Sequence, residues 1–294
     1  MAWLQIKLTT TKDLVEDYSA LLLATGALAV TVHGKNQPSI IEPMPGTSPL
    51  WEHLEIIGLY EQSVDIDTIK QQLCKHFGKK ISMQIEPLAE QDWHQAWKEN
   101  LHPLQFSNNL WVCPSWCNIP DPNACNIILD PGMAFGTGTH PTTALCLEWL
   151  ATNSIQNSSV LDFGCGSGIL GIAAAKLGAS VVHCVDCDFQ ALVSTRDNAK
   201  KNSIAAKQLF TLLPQELPAN YQATTVIANI LANPLHELAE TLANYVKPGG
   251  NIVLSGILIP QVEDLIITYG TWFDSLTTIT KEEWARISGI KKCN

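Results

Sequence analysis

The sequence predicts an α/β chain, with a small domain at the N-terminal end and a larger, doubly wound parallel-sheet domain after it. Residues 1–90 read as strand, helix, strand, strand, helix and strand, whereas strands and helices alternate from residue 127 onward. Within this second part, a short apolar strand leads directly into a turn with three glycines and then into an Ala-rich helix. With 294 residues, the chain is long enough for each domain to bury its own core.

Composition places the chain among ordinary globular proteins, with 46% apolar and 16% charged residues. The formal net charge of −10 argues against a surface that coats nucleic acid and suits a basic partner. Residues 1–7 lack the pattern of a secretion signal, and the longest apolar stretch, residues 20–32, is too short to span a bilayer. The nine cysteines are an odd number, so we expect free thiols and a cytoplasmic protein without membrane association.

The small domain is expected over residues 1–90. Periodicity predicts strands at 3–9, 29–33, 54–60 and 81–86, and helices at 13–24 and 66–77. This βαββαβ order predicts a ferredoxin-like α+β sandwich. Because the domain holds no cluster of side chains suited to catalysis, we expect it to recognise a substrate.

A linker helix is expected over residues 91–108, because Trp93, Trp97 and Leu101 recur at helical spacing and give the segment one apolar face. We interpret these aromatic side chains as packing residues rather than as a ligand-stacking surface. The larger domain then occupies residues 109–294.

Cysteines near the start of the larger domain raise the question of a metal site. Cys113, Cys117 and Cys125 have no fourth ligand at a usual spacing, and the pair Cys184 and Cys187 lies across the end of a predicted strand. We therefore expect no bound metal.

The larger domain is expected to be Rossmann-like, with a mainly parallel seven-stranded sheet that closes in an antiparallel hairpin. After a first strand at 110–116, strands are predicted at 127–129, 160–163, 181–185, 208–212, 225–230, 251–256, 276–280 and 285–290. Helices are predicted at 142–152, 169–177, 189–202, 234–246 and 260–268. In such sheets, ligands bind at the carboxyl ends of the strands, near the point where the strand order reverses.

The glycine turn has the spacing Gly164-x-Gly166-x-Gly168 and follows Asp162 in the predicted strand. A dinucleotide fold places its third glycine one residue later and holds a pyrophosphate over the helix N-terminus. The tighter spacing suits S-adenosylmethionine, which carries no phosphate, and we expect the backbone around Gly164 and Gly166 to meet its amino-acid tail. Asp186 ends the next strand, about 20 residues further on, where a carboxylate can accept hydrogen bonds from both ribose hydroxyls.

A second glycine-rich loop, residues 130–143, precedes the first helix of the larger domain. Two glycine pairs alternate there with hydroxyl groups and an aromatic ring, a pattern that a simple turn does not require. We expect the loop to close over the cofactor, with Phe135 as apolar cover and with Thr137 and Thr143 offering hydroxyl groups. His140 is expected to cap or pack against the helix rather than to act as a base.

Asn229 and Ile230 end the strand predicted at 225–230, at the edge of the sheet where ligands bind. The Asn229 amide oxygen and the Ile230 carbonyl can accept hydrogen bonds from an amine and hold its lone pair toward a methyl group. Because methyl transfer is an in-line displacement that depends on alignment, both residues are candidates for catalysis. Asn233 is expected to cap the helix that begins at Pro234.

These motifs resemble the PrmA family, the bacterial methyltransferases that modify ribosomal protein eleven of the large subunit. The resemblance lies in residues 130–143, 161–170, 185–188 and 229–232, and residues 284–289 are similar to the family's closing strand. The resemblance is strong over residues 127–294. Over residues 1–106 it rests on the size of the domain and its order of elements.

The resemblance implies a monomeric class I methyltransferase with S-adenosylmethionine as its cofactor. Its first domain would recognise the ribosomal protein, and its second would methylate the N-terminal α-amino group and lysine ε-amino groups toward the trimethylated state. In that family, cofactor contacts fall at the positions of Thr143, Gly164, Asp186 and Asn229. Cys187 and Phe189 replace residues more usual in the family, without affecting the expected ribose contact.

Three alternatives follow from the same residues. A methyltransferase of this fold could act on a small molecule or on RNA, and the charge of −10 disfavours RNA. A nicotinamide-dependent oxidoreductase is disfavoured by the glycine spacing and by the loop at 130–143. A protein-binding module with a vestigial nucleotide fold would tolerate Asp186→Ala.

Overall fold

The computed structural model describes residues 3–35, 47, 49–78, 81–88, 101–130, 138–218 and 220–293. The chain divides into two compact units, Met1–Glu99 and Asn100–Asn294, and the division falls within the predicted linker. Phe135 and Thr137 lie outside the described residues, as does most of the predicted linker helix. Within the described ranges, no helix combines the length and the apolar character needed to cross a membrane.

In its described residues, the first unit is a four-stranded antiparallel sheet with two helices, which confirms the ferredoxin-like prediction. Its strands are β1 Trp3–Thr11, β2 Ala29–Gly34, β3 His53–Glu61 and β4 Met83–Leu88, and its helices are Val15–Ala24 and Ile66–Phe77. The strand order is β2-β3-β1-β4. Alternate residues of β1 (Leu4, Ile6 and Leu8) are buried and share one apolar core with both helices.

The second unit begins with a small three-stranded sheet that the sequence did not predict. Its strands are β5 Leu104–Ser107, β6 Leu110–Cys113 and β7 Cys125–Ile128. β5 pairs antiparallel with β6, and β6 pairs in parallel with β7. The strand predicted at 127–129 therefore belongs to this sheet and not to the large one.

The end of the predicted linker helix is wrong, because residues 104–107 form a strand. Pro103 explains the difference: proline disfavours helical backbone at the residue before it and cannot donate within a helix. The strand predicted to reach residue 116 ends at Cys113, just before Pro114, which has no N–H for a sheet.

A seven-stranded sheet forms the centre of the second unit. Its strands are β8 Ser159–Phe163, β9 Val181–Val185, β10 Leu209–Leu212, β11 Ala223–Asn229, β12 Val246–Leu258, β13 Phe273–Lys281 and β14 Trp284–Lys291. The order is β10-β9-β8-β11-β12-β14-β13. The pairs from β10 to β12 are parallel, and β14 is antiparallel to both neighbours, which confirms the doubly wound sheet with a closing hairpin.

The helices of the second unit agree with the prediction except in one place. They are Pro141–Thr152, Ile169–Lys176, Phe189–Lys201, Ala232–Glu237, Ala239–Tyr245 and Val262–Tyr269. The helix predicted at 234–246 begins at Ala232 with Leu231 as its N-cap, so the capping role predicted for Asn233 is wrong. Proline is tolerated in the first turn, which is why the helix can start before Pro234. The helix is also interrupted at Leu238.

The strand order reverses at β8, which has β9 on one side and β11 on the other. One apolar core includes Val160 and Ile172, and another includes Leu161 and Leu235. Since alternate residues of a strand point to opposite faces, the two cores cover both faces of β8 and leave its carboxyl end as the place for a ligand.

Candidate functional site

A cavity of about 500 Å³ lies at the carboxyl ends of β8, β9 and β11. Its wall brings together every predicted site residue that the structure describes. These are Thr143, Gly164, Gly166, Asp186, Asn229 and Ile230. A cavity of this volume is within the range of sites that hold cofactors.

Sequence reasoning missed part of the apolar wall. Leu170, Pro214 and Leu238 also line the cavity. Pro214 follows β10, and its position after the end of a parallel strand is the signal that could have identified it. No comparable signal marked Leu238, which lies at the interruption between two short helices.

The glycine turn is built from backbone conformations that favour glycine. Gly164, Gly166 and Gly168 have φ angles of 77°, 53° and 79°. The N–H groups of Gly164 and Cys165 donate to the Val185 carbonyl at 2.7 and 3.0 Å, which attaches the turn to β9. A Cβ at Gly164 would overlap the Ile230 side chain at Cγ2, so the missing side chain lets Ile230 lie against the turn.

Gly164→Ala is expected to lower the free energy of unfolding by about 2–4 kcal/mol, through its left-handed backbone and its overlap with Ile230. Adding Ile230→Ala removes the overlapping methyl group and should leave only the backbone cost of about 1–2 kcal/mol from position 164. Urea denaturation of both single variants and the double variant measures this coupling. Strictly additive losses would contradict the steric account.

The Asp186 carboxylate holds the turn as well as facing the cavity. One oxygen accepts the Gly166 N–H at 2.9 Å, and the other accepts the Asp188 N–H at 3.0 Å. The Gly166 carbonyl accepts the Thr195 hydroxyl at 3.0 Å. The backbone N–H and carbonyl of Gly166 are therefore hydrogen-bonded to Asp186 and Thr195, and these bonds fix the shape of the turn.

The side chain of Asn229 has one polar atom without a hydrogen-bond partner among the described residues. Its side-chain N–H donates to the hydroxyl oxygen of the buried Thr143 at 3.3 Å, which orients the amide. Its Oδ1 atom is buried and accepts no hydrogen bond within the described part of the chain. Because burying an unpaired amide oxygen is costly, this atom is suited to a donor from a ligand.

The residues that line the cavity are suited to hold S-adenosylmethionine. Asp186 offers a carboxylate for a diol, and Gly164 lies at the cavity wall. Asn229 offers the unpaired oxygen. Phe163 and Leu170 give the apolar wall that an adenosine requires.

Asp162 lies fully buried below the glycine turn. One carboxyl oxygen accepts the Gly171 N–H at 2.9 Å, and the other has no partner among the described residues. Burial raises the pKa of this carboxyl to about 7, while the Gly171 hydrogen bond opposes the shift and the Asp186 charge adds to it. The group therefore titrates near neutral pH.

This shift predicts a pH-dependent stability. The pKa of Asp162 in the folded protein is above its unfolded value of about 4. The carboxyl group therefore makes its full contribution to stability below about pH 4, and this contribution is lost as the pH rises through about 7. Asp162→Asn cannot ionise. Relative to wild type, its free energy of unfolding should gain about 2–3 kcal/mol between about pH 5 and about pH 8, measured by urea denaturation. If the free energies of unfolding of wild type and Asp162→Asn changed in parallel with pH, Asp162 would not titrate in this range.

His140 has the capping and packing role that was predicted. Its ring nitrogen accepts the Thr142 N–H at 3.4 Å, which caps the helix Pro141–Thr152. The ring packs edge-on against Trp284, with 4.8 Å between the centroids. Burial lowers the pKa of His140, which favours the neutral ring that capping requires.

Two of the cysteines considered for metal binding have other partners. The Cys113 thiol contacts the Asn126 amide oxygen at 3.9 Å, and the Cys117 thiol contacts the Leu101 carbonyl at 3.6 Å. In the described part of the chain, no group of three or more His, Cys, Asp or Glu side chains could hold a metal ion.

Comparison with known proteins gives a consistent result. The family model for ribosomal protein L11 methyltransferase (PrmA) matches residues 2–292. Proteins named ribosomal protein L11 methyltransferase from Tolumonas auensis and Shewanella woodyi are each 46% identical to the chain, over 99% of it and 100% of their own length. A crystal structure of ribosomal protein L11 methylase from Lactobacillus delbrueckii subsp. bulgaricus is 28% identical. It has a TM-score of 0.58 and covers 65% of this chain and 100% of that chain.

Proposed function

Because this chain belongs to the ribosomal protein L11 methyltransferase family, we propose that it transfers methyl groups from S-adenosylmethionine to amino groups of that ribosomal protein. When bound, the cofactor supplies an electrophilic methyl group on a cationic sulfonium. The chain's own residues bind this cofactor, orient the amine and keep water from the transfer.

The cofactor contacts are assigned to the residues that line the cavity. Asp186 accepts hydrogen bonds from the ribose hydroxyls, since each carboxylate oxygen has a lone pair beyond the backbone N–H that it already accepts. Gly164, which lies at the cavity wall, would meet the amino-acid tail, within the turn that Gly166 shapes. Thr143 and Asn229, which also line the cavity, would contact the cofactor. Phe135 and Thr137 lie outside the described residues, and they stay candidates for apolar cover and for a hydroxyl contact.

The observation that carries the proposed function is the unpaired Oδ1 atom of Asn229 at the wall of this cavity. Together with the Ile230 carbonyl, it can accept both N–H groups of a primary amine and direct the nitrogen lone pair toward the methyl group. The amine must first be neutral, and a lysine has a reference pKa of about 10.4. The apolar walls disfavour the ammonium form, so its proton is lost to water before the amine enters.

The first unit is assigned to recognition of the ribosomal protein. Its ferredoxin-like fold is separate from the unit that holds the cavity, and the net charge of −10 favours a basic protein over RNA as the partner. We assign the N-terminal α-amino group and lysine ε-amino groups as acceptors, methylated toward the trimethylated state by a cytoplasmic monomer without membrane or direct nucleic-acid contact.

Methyl-labelled S-adenosylmethionine and intact ribosomal subunits test the proposed function. After incubation with the enzyme, the protein, RNA and small-molecule fractions are separated and counted. We expect the label in the protein fraction, on ribosomal protein L11. Label in RNA or in a small molecule alone would contradict the substrate assignment, and nicotinamide binding without methyl transfer would favour an oxidoreductase.

A further inference from the structure

The strand β12 carries an irregularity next to Ile230. Its pairing with β14 shifts register between Leu254 and Ile257, so Ser255 and Gly256 form a bulge. On the other side of β12, Asn229 is the partner of Ser255. Gly256 is therefore adjacent to Ile230, one residue beyond the paired part of β11.

A side chain at Gly256 would not fit beside Ile230. A Cβ atom there would overlap the Ile230 carbonyl oxygen, and it would lie 2.7 Å from the carbonyl carbon and 3.1 Å from the nitrogen. These are backbone atoms, which cannot rotate away as a flexible side chain can. Gly256 also has a φ angle of 85°, which disfavours any other residue.

Ile230 is consequently held on two sides. Its side chain lies against Gly164 of the turn, and its carbonyl group lies against Gly256 of β12. The bulge itself is anchored, because the buried Ser255 hydroxyl donates to the Ala285 carbonyl at 3.0 Å. The location of the Ile230 carbonyl is thus set by β12 and β14 as well as by the cofactor-binding turn.

We propose that Gly256 is a positioning residue for the methyl-accepting amine, because its missing side chain determines where the Ile230 carbonyl lies. This inference rests on the proposed function, in which that carbonyl accepts a hydrogen bond from the amine. In-line transfer tolerates little misplacement: a shift of about 1 Å can cost about 100-fold in rate. Gly256 contacts the Ile230 backbone, whereas Asp186 and Gly164, assigned to the ribose and the amino-acid tail, directly follow β9 and β8, so cofactor affinity should depend on Gly256 much less than kcat does.

The direct test compares Gly256→Ala with Gly249→Ala. Gly249 lies in the same strand with a φ angle of 72°, but the nearest atom to a Cβ there is the Cys293 sulfur at 3.8 Å, an ordinary contact. Both variants carry the backbone strain, and only Gly256→Ala displaces Ile230. With ribosomal protein L11 as substrate, we expect kcat of Gly256→Ala to be about 10- to 100-fold below that of Gly249→Ala. The cofactor Kd, from calorimetry, should agree within about twofold of wild type.

A kcat equal to that of Gly249→Ala, or a cofactor affinity that falls in step with kcat, would overturn the inference. A second pair of variants tests the same inference if Gly256→Ala does not fold, because these substitutions only remove atoms. Ser255→Ala removes the hydroxyl that anchors the bulge to Ala285. Its control, Ser288→Ala, removes a buried hydroxyl that contacts the Thr277 hydroxyl at 3.1 Å. We expect a kcat about 3- to 10-fold lower for Ser255→Ala alone, at unchanged cofactor affinity.

Equal kcat values for Ser255→Ala and Ser288→Ala would also overturn the inference. Its failure is distinguishable from failure of the proposed function. A wild-type enzyme that does not methylate ribosomal protein L11 contradicts both. A wild-type enzyme that does so, with no loss in the Gly256 and Ser255 variants, contradicts the positioning role alone.

Discussion

Asp186→Ala is expected to weaken S-adenosylmethionine binding at least about 100-fold. The carboxylate is assigned two hydrogen bonds from the ribose, and hydrogen bonds to charged groups contribute about 1.5–3 kcal/mol each. Isothermal titration calorimetry measures the change directly. The free energy of unfolding should fall by only about 2 kcal/mol, because the variant loses the acceptors of the Gly166 and Asp188 N–H groups but no buried apolar area. A loss of about 2 kcal/mol corresponds to a fall in Tm of roughly 4–8 °C for a domain of this size.

Asp188→Ala is the matched control for this variant. Its carboxylate caps the helix Phe189–Lys201 by accepting the Gln190 N–H at 2.8 Å, so its loss costs about 1 kcal/mol of stability. Its backbone N–H, which donates to Asp186, is retained. We expect unchanged cofactor affinity. Equal losses of affinity in the two variants would mean that cofactor affinity depends on the conformation of this loop and not on the ribose contact. Unchanged affinity in Asp186→Ala would contradict the ribose contact.

Asn229→Ala is expected to lower kcat by about 100- to 1000-fold at saturating cofactor and protein substrate. The variant removes a buried amide oxygen that has no hydrogen-bond partner among the described residues and lies at the cavity wall, and preorganised polar groups of this kind commonly contribute such factors. Because Asn229 is also assigned a cofactor contact, we expect a weaker Kd, by less than about tenfold. Single-turnover measurements separate the two effects.

Two substitutions refine the Asn229 result. Asn229→Asp keeps an acceptor at the same place and should be more active than Asn229→Ala. Thr143→Val removes the hydroxyl that accepts the Asn229 N–H, so the amide loses its orientation and kcat should fall about tenfold, with recovery in Thr143→Ser. If Asn229→Ala changed only the cofactor Kd and left kcat intact, the residue would bind the cofactor without positioning the amine.

The fold, and the location of the main candidate residues at one cavity, could be predicted because both depend on local pattern. The glycine spacing at 164–168 requires a strand-turn-helix unit, and the alternation of strands and helices predicts a parallel sheet. Once the sheet was predicted, Asp186 and Asn229 followed, since each ends a parallel strand on the same edge. The family was confirmed by the match over residues 2–292.

Features that depend on tertiary contacts could not be predicted. The bulge at Ser255 and Gly256 follows from the register of β14, which no local pattern reveals. The raised pKa of Asp162 depends on complete burial below a helix. The backbone of Gly166 was expected to meet the cofactor, but its N–H donates to Asp186, a contact between two strand ends. The strand at 104–107 was missed although Pro103 marked the limit of a helix.

Mass spectrometry of ribosomal protein L11 after incubation with this enzyme shows directly whether its amino groups accept the methyl groups. Purified substrate is supplied in native form and with its amino groups acetylated, together with S-adenosylmethionine. Acetylated nitrogens have no basic lone pair to direct toward the methyl group. The account predicts stepwise methyl additions to the native protein, mapped to its N-terminal and lysine amino groups, and none to the acetylated protein. Methylation that persists after acetylation, or that is absent from the native protein, would contradict it.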